Sequence, residues 1–173
     1  MGKQLRKGTQ FPLRPAIATF KLATGTEFDM PNDTGIVAWN TAGHQCTPVL
    51  DAEMMNDVPW ITVSGTVITL QPGIYKIQFH PTVTNMEIDE QHFALAITNT
   101  GGSVVYAQTQ ENPGIQMAPL TDRQHMVQAV AHLVNATGIQ LRAVQNSTGA
   151  LGELVLSEEN LATIERIGNE NES

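Results

Sequence analysis

Five histidines, a single cysteine and a few loop carboxylates are the residues of this chain with chemistry to offer. His44 and Cys46 stand two apart in "GHQC". A zinc ion would take such a pair and need two further ligands, for which Asp51 and Glu53 are the nearest carboxylates. A buried cysteine beside a surface histidine is the simpler reading. His80, His92, His125 and His132 fall on strands or strand ends, with no HExxH and no paired spacing. They read as structural histidines, although any that lined a subunit interface would respond to mild acid. Glu87, Asp89 and Glu90 in "NMEIDEQ" offer alternating oxygen ligands of the kind calcium takes, against the plainer reading of a solvated loop. Trp39 and Trp60, with Met54 and Met55 between them, would line a ligand cleft or, more simply, pack a core or interface. There is no G-x-S-x-G, no P-loop, no G-x-G-x-x-G and no His/Asp/Ser grouping. The expectation is a protein without metal or cofactor that is not an enzyme.

Such residues must be carried by some framework, and the composition says which. The 173 residues suit one domain with a sizeable core, or one domain plus an arm. Hydrophobic residues make up 41% and charged ones only 15%, so the polar bulk is Thr, Asn and Gln, as on β-structure with uncharged faces. A net charge of −8 argues against nucleic acid as a partner of the body, because phosphates demand a basic surface. The charge is uneven. Residues 1–15 hold Lys3, Arg6, Lys7 and Arg14 with no acid, while Glu153 to Ser173 hold six glutamates against one arginine. One cysteine excludes a disulfide within the chain. No run of 18 apolar residues would span a membrane, and the N-terminus lacks the apolar core of a secretory signal, so synthesis in a reducing compartment is expected.

The pattern along the chain is that of strands. Gly2, Gly8, Pro12 and Pro15 make residues 1–15 an extended arm. Strands are expected in "AIATFKLA" (16–23) and "TGIVAWN" (34–40), with a loop over 42–59. "WITVSGTVITLQPG" (60–73) gives two short strands split at Ser64-Gly65, and "IYKIQFHPTV" follows. "HFALAITNTGGSVVYAQTQ" (92–110) is a hairpin about Thr100-Gly101-Gly102. "HMVQAVAHLVNATGIQLRAVQNST" (125–148) has some helical spacing, but Val-rich alternation on both sides of a turn favours a second hairpin. "LATIERI" reads as a final strand. By alternation Tyr75, Ile77 and Phe79 point to the core, while Ile74, Lys76, Gln78 and His80 point away from it. Eight to ten strands at this spacing mean an all-β antiparallel sandwich or barrel.

The order of these elements resembles the tumour-necrosis-factor-like jelly roll, the class that includes the globular head of the first complement component. "ITLQPGIYKIQF", in which a strand breaks at Pro-Gly and resumes as Gly-x-Tyr-x-x-x-Phe, is one part of the likeness. "FALAITNTGGSVVYA", "VQAVAHLVNATGIQLRAVQN" and "LATIERIG" follow in the family's order. Gly73, Tyr75, Phe79, Gly138 and Leu141 carry most of it, over roughly residues 34–168. The resemblance implies a jelly-roll β-sandwich that packs one sheet against neighbours about a threefold axis. "LATIERIG" would be the strand running up the centre, with Leu161, Ile164 and Ile167 at the trimer interface. The expected organisation is an arm and first strand over 1–33, a jelly-roll domain over 34–168 and an acidic tail over 169–173.

Bacteriophage virion proteins, fibre tips and head decoration proteins among them, also use this jelly roll and assemble in the host cytoplasm without a secretion signal. The functional expectation is therefore a homotrimeric capsid decoration (cement) protein located on the virion. Its partner would be the major capsid protein or another virion protein, with no nucleic acid and no membrane. Residues 1–15 would be the docking arm, with Phe11 and Leu13 entering an apolar groove while Lys3, Arg6, Lys7 and Arg14 meet acidic groups. The alternative is the receptor-binding tip of a tail fibre or spike. A cupin-like metalloenzyme would need two His and a Glu converging from neighbouring strands, a motif the sequence lacks.

Overall fold

A computed structural model describes residues 16–23, 28–30, 45–50, 59–84, 91–111, 123–147, 155–156 and 161–168. All of the strands within them pair antiparallel, and they form three groups. The first sheet has the order β11 (Val127–Leu133), β6 (Gly73–Phe79), β14 (Ala162–Gly168), β1 (Ala16–Leu22), β3 (Pro48–Leu50). The second has the order β4 (Ile61–Ser64), β5 (Val67–Leu70), β12 (Thr137–Ser147), β8 (Gln91–Asn99), β9 (Val105–Glu111). Four short strands make a third group, β10 (Arg123–Gln124), β7 (Thr82–Thr84), β13 (Val155–Leu156), β2 (Phe28–Asp29). Five of the fourteen are only two or three residues long, and the other nine match the expected number. The arm at 1–15 and the strand expected at 34–40 lie outside the described residues. β1, grouped by sequence with the arm in 1–33, is an interior strand of the first sheet, between β14 and β3.

The two five-stranded sheets face each other across one core. β6 buries Tyr75, Ile77 and Phe79 completely and leaves Ile74, Lys76, Gln78 and His80 on the outer side, as its alternation predicts. Phe20 and Leu22 of β1 and Ile164 of β14 join them from the same sheet. Ile68, Leu70, Phe93, Leu95, Ile97, Ile139 and Leu141 meet them from the second. Of the two expected hairpins, β8 with β9 forms, whereas β11 and β12 are both strands on either side of a turn but do not pair with each other. In the first, the strands pair in one sheet; in the second, the turn carries the chain from one sheet to the other. That β11 and β12 part company is what antiparallel layers require when a connection crosses between them.

Residues 45–50 close one edge of the sandwich. Gln45 bridges to Arg142 in the second sheet, the Cys46 amide donates to the Leu141 carbonyl at 2.9 Å, and three residues later Pro48–Leu50 pairs with β1 in the first sheet. Cys46 sits fully buried at the crossing.

Two glycines are fixed by close approach. A Cβ at Gly73 would lie 2.9 Å from Nε of Arg166 and 3.2 Å from the carbonyl oxygen of Gly168. The guanidinium is not free to move aside, because Nη2 donates to the Pro72 carbonyl at 2.8 Å and the group lies 5.9 Å from the centre of the Tyr75 ring. At Gly138 a Cβ would overlap Oγ1 of Thr100 and come within 2.9 Å of Val67.

Gly73→Ala should therefore cost about 1–3 kcal/mol of overpacking, read as a melting temperature lower by roughly 2–10 °C for a chain of this size. An unchanged melt would show that Arg166 yields freely. A second expectation concerns alkaline pH. Burial pushes the Cys46 thiol far above its ordinary range and raises the Tyr75 and Tyr106 phenols, at Tyr75 against the opposing pull of Arg166. Such a group keeps its proton in the folded chain after the unfolded chain has lost it. Its contribution is complete below the unfolded pKa, about 8.5 for Cys and about 10 for Tyr, and falls as pH rises beyond. Denaturant melts should lose stability above pH about 8.5, by up to roughly 1.4 kcal/mol per pH unit for one group. Cys46→Ala should flatten that slope between pH about 8.5 and 10, and an unaltered slope would assign it elsewhere.

Candidate functional site

The outer face of the first sheet is the surface whose composition asks for a partner. Registers align its residues in rows across four strands. Val130 of β11, Lys76 of β6, Glu165 of β14 and Ile17 of β1 stand side by side. The adjacent row is Gln128, Gln78, Thr163 and Thr19. Lys76 and Glu165 are thus directly opposite each other, an arrangement that stabilises a sheet by a few tenths of a kcal/mol to about 1 kcal/mol. In the second row Nε2 of Gln78 donates to Oε1 of Gln128 at 3.1 Å, and the His80 ring lies 3.0 Å from Oγ1 of Thr163.

β11 gives this face its character. It turns Ala129 and Ala131 into the core and Val130 out, and Val130 and the following Val134 are each 65% exposed. A strand that meets only water carries its larger apolar groups inward and polar ones outward. Val127 and Leu133 follow that rule at the ends of β11, but the inward positions between them are Ala129 and Ala131, opposite Ile77 and Tyr75 of β6, with Val130 facing out. Met126, Ile17 and Ile167 extend the exposed apolar set on the same sheet.

The second sheet is different, since the strands at its centre are buried on both faces. Opposite the core, Ala94, Ala96 and Thr98 of β8 pair with Val144, Arg142 and Gln140 of β12, all buried. Nε of Arg142 donates to Oγ1 of Thr98 at 3.0 Å, and an Nη of Arg142 donates to Oε1 of Gln140 at 2.7 Å. Nε2 of Gln140 donates to Oε1 of Gln45 at 2.7 Å, as does the Thr66 hydroxyl. Burial lowers the pKa of Arg142. The network ties the crossing segment at Gln45 to the sheet, and its role is structural. Sequence reading missed it. The available signal was "IQLRAVQ" beside the unbroken run "FALAI", since an unbroken apolar strand is buried on both sides and so are the polar groups it pairs with.

Of the expected interface residues, Leu161 and Ile164 are fully buried in the core of their own subunit, and Ile167 is 49% exposed. A spacing of three cannot mark one face of a strand, whose side chains alternate with period two. The outward set of β14 is Thr163, Glu165 and Ile167, and only the last belongs to the expected trio. Lys3, Arg6, Lys7, Phe11, Leu13 and Arg14 lie outside the described residues, as do His44 and the Glu87–Glu90 carboxylates. His125 stacks edge-on against Phe93 at 4.8 Å, His132 is exposed on β11, and Trp60 packs 5.5 Å from Tyr75 in the core. Among the described residues no three His, Cys, Asp or Glu side chains converge as metal ligands, and no helix is long and apolar enough to cross a membrane.

No family model matches the sequence, and no curated protein does. Among solved structures the chain is similar to murine APRIL, a tumour-necrosis-factor family member, in a crystal structure at pH 5.0. The identity is 9% and the TM-score 0.55, over 89% of this chain and 100% of that one. The likeness is one of fold, and with the strand order above it shows an all-β jelly-roll sandwich.

Proposed function

We propose that the chain is a non-catalytic structural protein that works as a homotrimer and decorates the head of a phage virion, where it clamps neighbouring capsid subunits. The observation that carries the trimer is the outer face of the first sheet. Its row Val130–Lys76–Glu165–Ile17 sets both charge signs between apolar residues. A surface of that kind suits burial against another protein surface, and in a threefold ring it would meet a different patch of the next copy. The likeness in strand order to the tumour-necrosis-factor class supports the same reading. Decoration is supported by the sequence of residues 1–15, four cations and no acid around Phe11 and Leu13, a segment suited to ordering on an acidic protein lattice.

At micromolar concentration the protein should sediment as a trimer. Val130→Glu should leave each subunit folded, because the side chain is exposed there, and weaken association on the order of 100-fold by desolvating a charge. A wild-type monomer would sink the trimer. Immunogold labelling of virions should mark the head. Label at the tail tip would instead identify the receptor-binding fibre tip, and unlabelled particles would remove the protein from the virion altogether. Deleting residues 1–15 should give a folded trimer that no longer attaches to heads, and full occupancy by that truncation would assign docking to the jelly roll alone.

A further inference from the structure

Of the four outer strands of the two five-stranded sheets, one lacks every usual guard. A free strand edge offers unpaired amides and carbonyls to any other chain, and folds blunt it with shortness, proline, charge or a bulge. β3 is three residues long and begins at Pro48, and β4 is four residues long. β9 carries an extra residue at Tyr106, where its register against β8 shifts, and it ends in Glu111. Its start is fixed by a tight turn, in which the Val104 amide donates to Oδ1 of Asn99 at 2.8 Å and the Gly101 amide to Oε1 of Gln140 at 3.1 Å. β11 has seven residues in unbroken register with β6, no proline and no Lys, Arg, Asp or Glu. Among the described residues it pairs with β6 alone, so half of its amides and carbonyls point away from the sheet.

The side chains along this edge are as open as its backbone. Met126, Val130 and Val134 are the three most exposed large apolar residues among those described, at 60%, 65% and 65%. On the core side Val127, Ala129, Ala131 and Leu133 keep 4–6% exposure, while Tyr75, Ile77 and Phe79 of the neighbouring β6 keep none. The core is therefore not fully sealed along β11.

The order of these residues matches itself when reversed. A two-fold axis through Val130 would lay a second β11 antiparallel to the first, with Val130 opposite Val130, Gln128 opposite His132 and Met126 opposite Val134 on the outer face. On the core side Ala129 would meet Ala131, and Val127 would meet Leu133. Small meets small and large meets large. No like charges oppose each other, because the strand has neither carboxylate nor Lys or Arg. An axis through Ala129 or Ala131 would instead set Val130 opposite Gln128 or His132. The residues thus choose both the partner and the register.

We propose that the free edge of β11 pairs with the β11 edge of a second copy about a two-fold axis through Val130, which joins two first sheets into one continuous sheet. Such pairing consumes both edges and so closes on itself. It runs in the plane of the sheet and leaves the outer face to the threefold contact. The pairing rests on β11 alone; combined with the trimeric reading, it links one trimer to the next. One strand edge is a small contact, below the area that stable interfaces bury. Free trimers at micromolar concentration should therefore stay separate and pair where they are crowded, as in a layer on a particle.

The test is disulfide trapping of the full-length chain at high concentration under mild oxidation by oxidised glutathione. Cys46 stays in every variant, since it is fully buried. Val130→Cys should form covalent chain dimers at least about ten times faster than Gln128→Cys or His132→Cys alone. Opposite residues of an antiparallel pair lie about 4.5–5.5 Å apart, within disulfide reach, whereas position 128 or 132 would lie about 13 Å from its own copy. Mixing Gln128→Cys with His132→Cys should restore the fast reaction. The trapped Val130→Cys dimers should sediment as linked trimers. Linked pairs of single chains would keep the edge pairing and overturn the trimer. Val130→Cys dimers held within one trimer would bring residue 130 to a threefold axis and overturn the two-fold. Equal rates for the three single variants would overturn the pairing and leave the trimer standing. On decorated heads, cross-links from Val130→Cys to a head protein instead of to itself would make a capsid strand the occupant and overturn self-pairing.

Discussion

The register of β6 is the constraint on which the rest depends. β6 lies between β11 and β14, and a slip of one residue would turn Tyr75, Ile77 and Phe79 to solvent and bring Lys76 and Gln78 into the core. Alternation alone says which face goes in, but several local contacts say where the strand begins. The Tyr75 hydroxyl donates back to the Gln71 carbonyl at 2.7 Å, and the Gln71 amide is held by Trp60 at 2.9 Å. Arg166 closes over Gly73, so β14 is clamped to the start of β6 at the point where its own register shifts between Arg166 and Gly168. A side chain at position 73 would push the two strands apart. The Pro-Gly break and the Gly-x-Tyr pattern are thus one device, a fixed strand start with a slot for an arginine from the last strand.

The same device sets the outer face. β11 buries Val127 and Leu133 at its ends and only Ala129 and Ala131 between them, opposite Ile77 and Tyr75, while Val130 turns outward. The fixed register then lays Val130, Lys76, Glu165 and Ile17 in line. The apolar surface is a consequence of how the core is divided between neighbouring strands, and it comes with a definite arrangement of charges. A face of this kind demands a partner shaped to it, because water solvates Val130 poorly and leaves the Lys76–Glu165 pair screened.

Much of this was legible in the sequence, and the limits have physical causes. Period-two alternation over "IYKIQF" and the glycine turn between β8 and β9 are local signals, and each became the element expected. Which sheet a strand joins is not local. β11 and β12 look like one hairpin, yet they belong to different sheets, because the short connection of residues 134–136 crosses the sandwich. The buried Arg142 was invisible for a related reason. An arginine at a polar-looking position reads as exposed unless it is known that the second face of its sheet is covered. Leu161, Ile164 and Ile167 are spaced by three, so Ile164 and Ile167 fall on opposite faces of β14, while Leu161, just before the strand, joins Ile164 in the core.

What the two outer surfaces share is separation from the core by residues that cannot relax. The first-sheet face is backed by side chains with no exposed area, and the Val104 turn is backed by Gln140 and Arg142. They differ in what they carry. The face sets Lys76 opposite Glu165 between Val130 and Ile17, whereas the turn presents Val104 and Val105 with no charged residue from Asn99 to Ala107. In a threefold ring the mixed row would meet a different patch of the next copy, and a row of both signs does not set one sign against itself there.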